Sequence, residues 1–373
     1  MDDNKKYGLT VCFFGDVAAR HLLRWSLYFA KHGYRTHVIT FNDKLVDDYG
    51  PVDVHVIQKR FHGGGFIARA LNILPILFKT KRLLNRIKPD IIHGQDAGGN
   101  SWIAALTGFH PFIVTPWGSD ILIHPRSSTV TRILTRFALQ KADLIVCDGE
   151  NTKEEIRKSG IPSSKIKLFT FGVDVEKFKP LPGGKNPDGS KIVISTRFLT
   201  EVHNLEALIM AIPTVIEEFP KVKFVLIGDG DKKESLEKLS GELGIADFVE
   251  FAGRVTEKEM VSRFKAADVY VSTSLSESGL AASTAEAMAC ELPVVNTDTG
   301  DIRLWIKDGE GGFVVPVKEP AVLAQKIIYL LKNSAVCTAF GKRNRKIIEE
   351  KNNYYCEMDK IANIYKELFN HKK

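Results

Sequence analysis

Residues 191–227 read KIVISTRFLTEVHNLEALIMAIPTVIEEFPKVKFVLI. The opening run is short and rich in Val and Ile, which predicts a strand, and the apolar residues recurring every three or four positions predict a helix over 204–219. A second β-branched run follows. Strand, helix and strand in that order make a βαβ unit with parallel strands. The alternation continues toward the C-terminus, with helices expected over 233–243, over 257–266 and from about Ser283, between strands FVEFAG, DVYVSTS and LPVVNTD. Three further helical patterns fill the tail from about Ala321. It also continues toward the N-terminus through YGLTVCFFG, LLRWSLYFAKHG, THVITF, a basic-apolar helix over 66–87, DIIHG, WIAALTG, FIVTPWG and ADLIVCDG. The fold class expected is therefore α/β, with two Rossmann-like doubly wound domains facing a cleft.

Between Phe178 and Ile192 lies FKPLPGGKNPDGSKI, whose three prolines and three glycines fit a loop and not a helix or central strand. It sets the expected domain boundary near Pro180. At 373 residues the chain is long enough for two domains of roughly 150 residues each. With 44% apolar and 26% charged residues, disorder and a small disulfide scaffold are excluded. Five scattered cysteines, an odd number without a CxxC pair, fit a reducing compartment and argue against structural zinc. No window reaches the roughly 18 apolar residues that span a bilayer.

The net charge of +7 is unevenly placed. Residues 1–180 hold 26 Lys+Arg against 17 Asp+Glu, whereas the rest hold 26 against 28. The N-terminal half is thus expected to meet something anionic, unless the bias is only a surface property.

A nicotinamide site needs GxGxxG between a first strand and its helix, and neither half has it. Gly15-Asp16-Val17-Ala18-Ala19 follows the first strand of one half, and Thr196-Arg197-Phe198 that of the other. Gly63-Gly64-Gly65 follows no clear strand and reads as a loop. No phosphate loop of the GxxxxGK[ST] kind occurs.

Ligands of doubly wound sheets sit at the carboxyl ends of strands. Arg197 stands there, where a planar guanidinium can grip a diphosphate; read alone it is better explained by a local surface ion pair. In SLSESGLAASTAEAMACELPVVNTDTG, small residues precede a helix that Glu286 is expected to open. A helix N-terminus suits phosphate oxygens, and an acid in its first turn can accept from ribose hydroxyls or simply cap the helix.

TAEAMACELPVVNTDTG, RFLTEVHNLEALIMAI and VLIGDGDKKESLEKL resemble, in that order and spacing, segments of the GT-B glycosyltransferases of the GT4-like, group 1 retaining family. FAGRV, AADVYVSTS and GEGGFVVPV also fit. In the N-terminal half, GDVAARHLLRWSLYFAKHGYRTHVIT, KPDIIHGQD, FIVTPWGSDIL and FGVDVEKFKP resemble a subgroup with a Trp-Gly-Ser-Asp element. The resemblance covers nearly the whole chain. It implies an acceptor-side domain over 1–180, a nucleotide-sugar-binding domain over 190–350, and a C-terminal helix over 351–373 packing back toward the first.

The resemblance implies sugar transfer from a UDP- or GDP-linked donor to a hydroxyl of a glycan or lipid-linked acceptor, with retention, in surface polysaccharide or glycolipid biosynthesis. No other cofactor, no metal and no nucleic acid are implied. Glu286 matches the ribose-binding glutamate and Arg197 the phosphate-binding arginine. Gly279, Leu280, Ala281 and Ala282 match the backbone lining the diphosphate, while Gly228, Arg254 and Val255 match positions near the nucleotide. Gly15 and Asp16 would bind the donor, His21 would lie near the donor phosphates or acceptor, Trp117 would stand on the acceptor side, and Asp120, at the cleft, joins Arg197 as a catalytic candidate. Three departures matter. Ser278 stands where a first glutamate is expected, with Glu277 beside it; Val202 replaces a lysine, leaving His203 as the nearby polar group; and Trp117 replaces a histidine. They keep open a non-catalytic sugar-nucleotide-binding subunit, and the two-domain shape also admits an epimerase. The basic-apolar run over 66–88, whose helix Pro75 is expected to interrupt, suggests an anionic membrane surface as a partner, and with it a cytoplasmic protein peripheral to the inner face of the plasma membrane.

Overall fold

The computed structural model describes residues 8–58, 66–180 and 189–372. Gly63-Gly64-Gly65 and most of the Pro/Gly-rich segment, residues 181–188, lie outside them. The chain divides into two compact units, Met1–Phe169 with Met358–Lys373, and Thr170–Glu357.

The first unit holds strands β1 (Thr10–Phe14), β2 (Arg35–Thr40), β3 (Asp53–Val56), β4 (Ile91–Gly94), β5 (Phe112–Val114), β6 (Leu144–Cys147) and β7 (Ile166–Leu168). They form one parallel sheet in the order β3-β2-β1-β4-β5-β6-β7. Around it run α1 (Arg20–Lys31), α2 (Phe66–Ile87), α3 (Gly99–Thr107), α4 (Ser119–Leu122), α5 (His124–Ser127), α6 (Thr129–Lys141) and α7 (Glu150–Lys158). IIHG of β4 and LIVC of β6 are buried along their whole length, as strands covered on both faces must be.

The second unit repeats the plan. Its strands β8 (Lys191–Ser195), β9 (Val222–Ile227), β10 (Val249–Gly253), β11 (Val269–Ser272), β12 (Val294–Thr297) and β13 (Gly312–Val315) are parallel in the order β10-β9-β8-β11-β12-β13. The intervening helices are α8 (Leu205–Glu218), α9 (Lys233–Glu242), α10 (Glu257–Ala266), α11 (Ala282–Ala289) and α12 (Ile302–Trp305), followed by α13 (Pro320–Lys332), α14 (Ser334–Lys351) and α15 (Tyr354–Lys372). Thr256 and Glu259 form a reciprocal capping box that starts α10 at its expected residue. In each sheet the strand order reverses at one seam, β1/β4 in the first and β8/β11 in the second. That seam is where a doubly wound sheet opens a crevice for a ligand.

Two expectations need correction. The units part at Phe169 and Thr170, before Pro180. Residues 170–178 join the second unit because Val173 bridges to Asn353 and the Arg345 guanidinium donates to the carbonyls of Val175 and Phe178, at 2.9 and 2.5 Å. Pro75 does not interrupt its helix, since α2 runs through it. Ile76, Thr80 and Leu84, spaced one turn apart, are buried and hold α2 despite the missing N–H.

From Met358 onward α15 belongs to the first unit. Tyr28 donates to Asp359 at 2.6 Å, and Tyr365 shares a 2.5 Å hydrogen bond with His93 Nδ1, whose Nε2 meets the Thr115 hydroxyl at 2.7 Å. Burial pushes the His93 pKa down to about 3. A histidine depressed in the folded state leaves stability intact above its unfolded value near 6.5, and stability falls as pH drops toward the folded value. His93 alone costs about 1.4 kcal/mol per pH unit across that window. Asp96, raised to about 6 by burial, acts in the opposite sense below pH 6. With His21 and His37 lowered to about 4 and His203 to about 3, the histidines prevail. Urea midpoints are expected to fall steadily from pH 7 to pH 5, and a flat profile contradicts the neutral buried state of His93.

Candidate functional site

In the second unit the loops leaving β8, β9 and β10 pack backbone to backbone. Gly228 follows β9 with φ +149°, and a Cβ there would stand 2.3 Å from the carbonyl oxygen of Arg197. Only glycine permits that approach. The Gly228 N–H donates to Gly253 at the end of β10 at 2.9 Å, and Leu199 N–H to Asp229 at 3.1 Å. Arg254 lies outside this seam, largely exposed with its Nε 3.6 Å from Asp229 Oδ2, and Val255 follows it half-buried.

Arg197 emerges from β8 at the seam and is only 10% exposed. Its Nη1 donates to Ser283 Oγ at 2.9 Å and its Nη2 to Glu277, while Nε has no partner among the described residues. Ser283 also accepts from the Tyr270 hydroxyl at 2.8 Å. The guanidinium thus faces the start of α11, whose N-cap Ala281 offers no side-chain cap. The N–H groups of a helix start, its partial positive charge and a fixed cation converge there. Ser278, Leu280 and Ala281 are nearly buried and Gly279 turns the chain into the helix that Ala282 begins.

The loop after β12 closes over this segment. Asp301 N–H donates to the Gly279 carbonyl at 2.9 Å, and a Cβ on Gly300, at φ +61°, would meet the same oxygen at 2.5 Å. Asp298 is held by both arms of Arg303 at 2.8 Å. His203 ends a 3-10 turn, its Nδ1 2.8 Å from the Thr200 hydroxyl, and burial with the Arg197 charge lowers its pKa to about 3.

Glu286 does not open α11. It is the fifth residue of a helix that starts at Ala282, half-buried in the second turn. The small residues before it are themselves helical, which sequence spacing did not reveal. Its carboxylate stands beyond the first turn, so it has no capping part to play.

In the first unit the seam brings Gly15 and Asp16 after β1 next to Gln95 and Asp96 after β4. Asp16 accepts from Ala18 N–H at 2.9 Å and from Asn42 at 2.8 Å. A Cβ on Gly15 would press on Leu22 and Gln95 at 2.9 and 3.2 Å. His21, in the first turn of α1, lies 4.2 Å ring to ring from Trp117, and Trp117 Nε1 donates to the Gln95 carbonyl at 2.8 Å. Burial pushes His21 down to about 4, against the pull of Asp16.

Asp120 is 7% exposed and accepts three backbone N–H groups, from Ala97 at 2.7 Å and from Trp117 and Gly118 at 3.0 Å. Burial still raises its pKa. Those bonds order the Trp117 loop.

Sequence reading missed Gln95 and Asp96. Gln95 is 1% exposed, and neither the nitrogen nor the oxygen of its side-chain amide has a hydrogen-bond partner among the described residues. Asp96 is bonded to Gly98 N–H and Asn100 at 2.7 and 2.5 Å. Their signal was position: GQD ends a strand, and that strand proved to flank the seam.

Comparison with known proteins follows this geometry. Residues 179–347 match the family described as glycosyl transferases group 1, and residues 10–149 match glycosyl transferase 4-like. The phosphatidyl-myo-inositol mannosyltransferase of Mycobacterium leprae is 29% identical over 167 residues, 44% of this chain and 44% of that one. The D-inositol 3-phosphate glycosyltransferase of Streptomyces bingchenggensis is 29% identical over 222 residues, 54% and 48% of the two chains. The chain spans about half the length of these curated relatives. Anabaena HepE, solved in complex with UDP and glucose, superposes with a TM-score of 0.83 over 97% of this chain and 100% of its own, at 18% identity.

Proposed function

Since the chain belongs to the group 1, GT4-like glycosyltransferases of GT-B fold, we propose that it moves a hexose from a nucleoside diphosphate sugar to an acceptor hydroxyl, with retention of anomeric configuration. The observation that carries this reading is the convergence of Arg197, the uncapped start of α11 and the Gly228 loop on one crevice. A diphosphate needs such fixed positive potential as the bond to the sugar breaks. Arg197 grips the phosphates after Glu277 releases it, Glu286 accepts from the ribose, and the backbone from Ser278 to Ala282 lines the diphosphate. Gly228, Arg254, Val255 and His203 stand around the nucleotide. UDP is the nucleotide bound in HepE, which supports a UDP-linked donor.

On the first unit, Gly15, Asp16, His21 and Trp117 face a glycan or lipid-linked acceptor, with Asp120 holding their loop. This places the protein in surface polysaccharide or glycolipid synthesis. The test is turnover: incubation of UDP-glucose with oligosaccharide or lipid acceptors yields an α-linked product by proton NMR. Donor hydrolysis without acceptor distinguishes a working enzyme from a non-catalytic binding subunit.

The site works without a metal, because Arg197 supplies the cation and Asp298, the nearest candidate ligand loop, is engaged by Arg303. Turnover is expected to survive EDTA unchanged. Loss on chelation with recovery on magnesium contradicts this assignment.

The protein acts at the cytoplasmic face of an anionic membrane. Among the described residues no helix is long and apolar enough to cross one. Leu74 and Phe78 of α2 are 75% and 69% exposed, one turn apart, beside Lys79, Lys81 and Arg82, and α2 contains no acid. Such a face lies on anionic headgroups through charge and apolar contact together. Co-sedimentation with phosphatidylglycerol vesicles is expected at low salt and is lost at high salt. Equal recovery with neutral vesicles contradicts it.

A further inference from the structure

A pocket of about 460 Å³ opens among α4, α5, α6 and α7 of the first unit, and none of the donor or acceptor residues above lines it. Its wall is cationic. Arg132 and Arg136 stand one turn apart on α6, a helix without a single acid. Neither guanidinium has a hydrogen bond or ion pair among the described residues. Like charges at that spacing repel each other. Arg126 and Lys158 also line the pocket, and they occupy both oxygens of Glu155, at 3.2 and 2.8 Å. The carboxylate of Glu155 therefore leaves the α6 pair uncompensated.

Two further observations point to a ligand. Thr135, also in the wall, is 4% exposed, and its hydroxyl has no hydrogen-bond partner among the described residues. A helical threonine commonly donates to the carbonyl one turn back, so an orphaned buried hydroxyl is a donor awaiting an acceptor. Beside the arginines the surface is apolar and open to water, with Ile133 60% and Val130 52% exposed. Phosphate oxygens would answer the guanidinium pair, and an alkyl chain would cover the isoleucine and valine.

We propose that this pocket binds a phosphate-bearing amphiphile, with the phosphate between Arg132 and Arg136 and the chain along Ile133 and Val130. The proposal stands apart from the sugar-transfer reading, because no residue assigned to that reaction takes part.

Decyl phosphate, kept below its micellar concentration, is titrated calorimetrically into the full chain, alongside inorganic phosphate and the neutral decyl maltoside. One-to-one binding of decyl phosphate is expected, at least about tenfold tighter than inorganic phosphate, with no binding of the maltoside. In R132Q/R136Q the affinity is expected to fall at least about tenfold, whereas R197Q keeps it. Both pocket arginines are exposed and the Ser128 cap of α6 is untouched, so the double variant should melt no earlier than the parent. Unchanged binding in R132Q/R136Q overturns the proposal. So does loss in R197Q, which moves the ligand to the donor crevice. Equal affinity for inorganic phosphate assigns the site to a free anion, and binding of the maltoside assigns it to an uncharged detergent; either refutes the amphiphile.

Discussion

Arg197→Gln is expected to remove nucleoside diphosphate binding almost entirely. The substitution deletes two charge-assisted donors, each worth roughly 1.5 to 3 kcal/mol, so affinity falls about a hundred- to a thousandfold or more. It also destabilises the free protein. Arg197 and Glu277 are 10% and 12% exposed and bonded to each other, so removing the cation strands a carboxylate out of water. Breaking a fully buried pair costs about 3 to 5 kcal/mol; here residual exposure reduces that to roughly 1 to 3. Stability and binding therefore need separating. The double variant Arg197→Gln/Glu277→Gln restores stability, because no orphaned charge remains, yet it does not restore binding. If the double variant regains nucleotide affinity, Arg197 is a structural ion-pair partner and not a phosphate ligand.

Glu286→Gln is expected to weaken donor binding roughly ten- to a hundredfold, the value of a charge-assisted acceptor for the ribose hydroxyls. Unfolding stability should not change. A capping acid would show the opposite pattern, with about 0.5 to 2 kcal/mol lost from stability and affinity per folded molecule unaltered. The second-turn position of Glu286 in α11 already argues against a cap. Urea unfolding of the free protein and calorimetric titration of the folded fraction separate the two.

Much of this fold is legible in the sequence because parallel strands are short, β-branched and buried on both faces, and the helices between them keep a 3.6-residue period. KIVIS and VKFVLI mark β8 and β9 as they stand. Other features depend on tertiary contacts that no local pattern carries. The boundary at Phe169 is set by Arg345, far along the chain, reaching the carbonyls of Val175 and Phe178. Pro75 reads as a break, yet the burial of Ile76, Thr80 and Leu84 carries α2 through it.

The same division holds at the candidate sites. Arg197 is legible because it ends a strand, whereas its engagement by Glu277 and Ser283 depends on a loop about 80 residues on. Asp120 reads as a cleft acid; three backbone amides converging on it are visible only in three dimensions. Gln95 carries no sequence signal beyond following a strand, since its importance comes from the β1/β4 seam.

The central claim is that the crevice around Arg197 and α11 binds a nucleoside diphosphate sugar. The most direct measurement is thermal unfolding of the full chain with UDP, GDP, ADP and CMP and the corresponding sugar nucleotides. A ligand that binds only the folded state at a hundred times its dissociation constant adds about 2.7 kcal/mol. One nucleoside diphosphate is expected to raise the midpoint by several degrees, its sugar conjugate at least as much, and both shifts to vanish in the Arg197→Gln/Glu277→Gln variant. A midpoint unmoved by every nucleotide, or moved equally in the variant, contradicts nucleotide-sugar binding at this crevice.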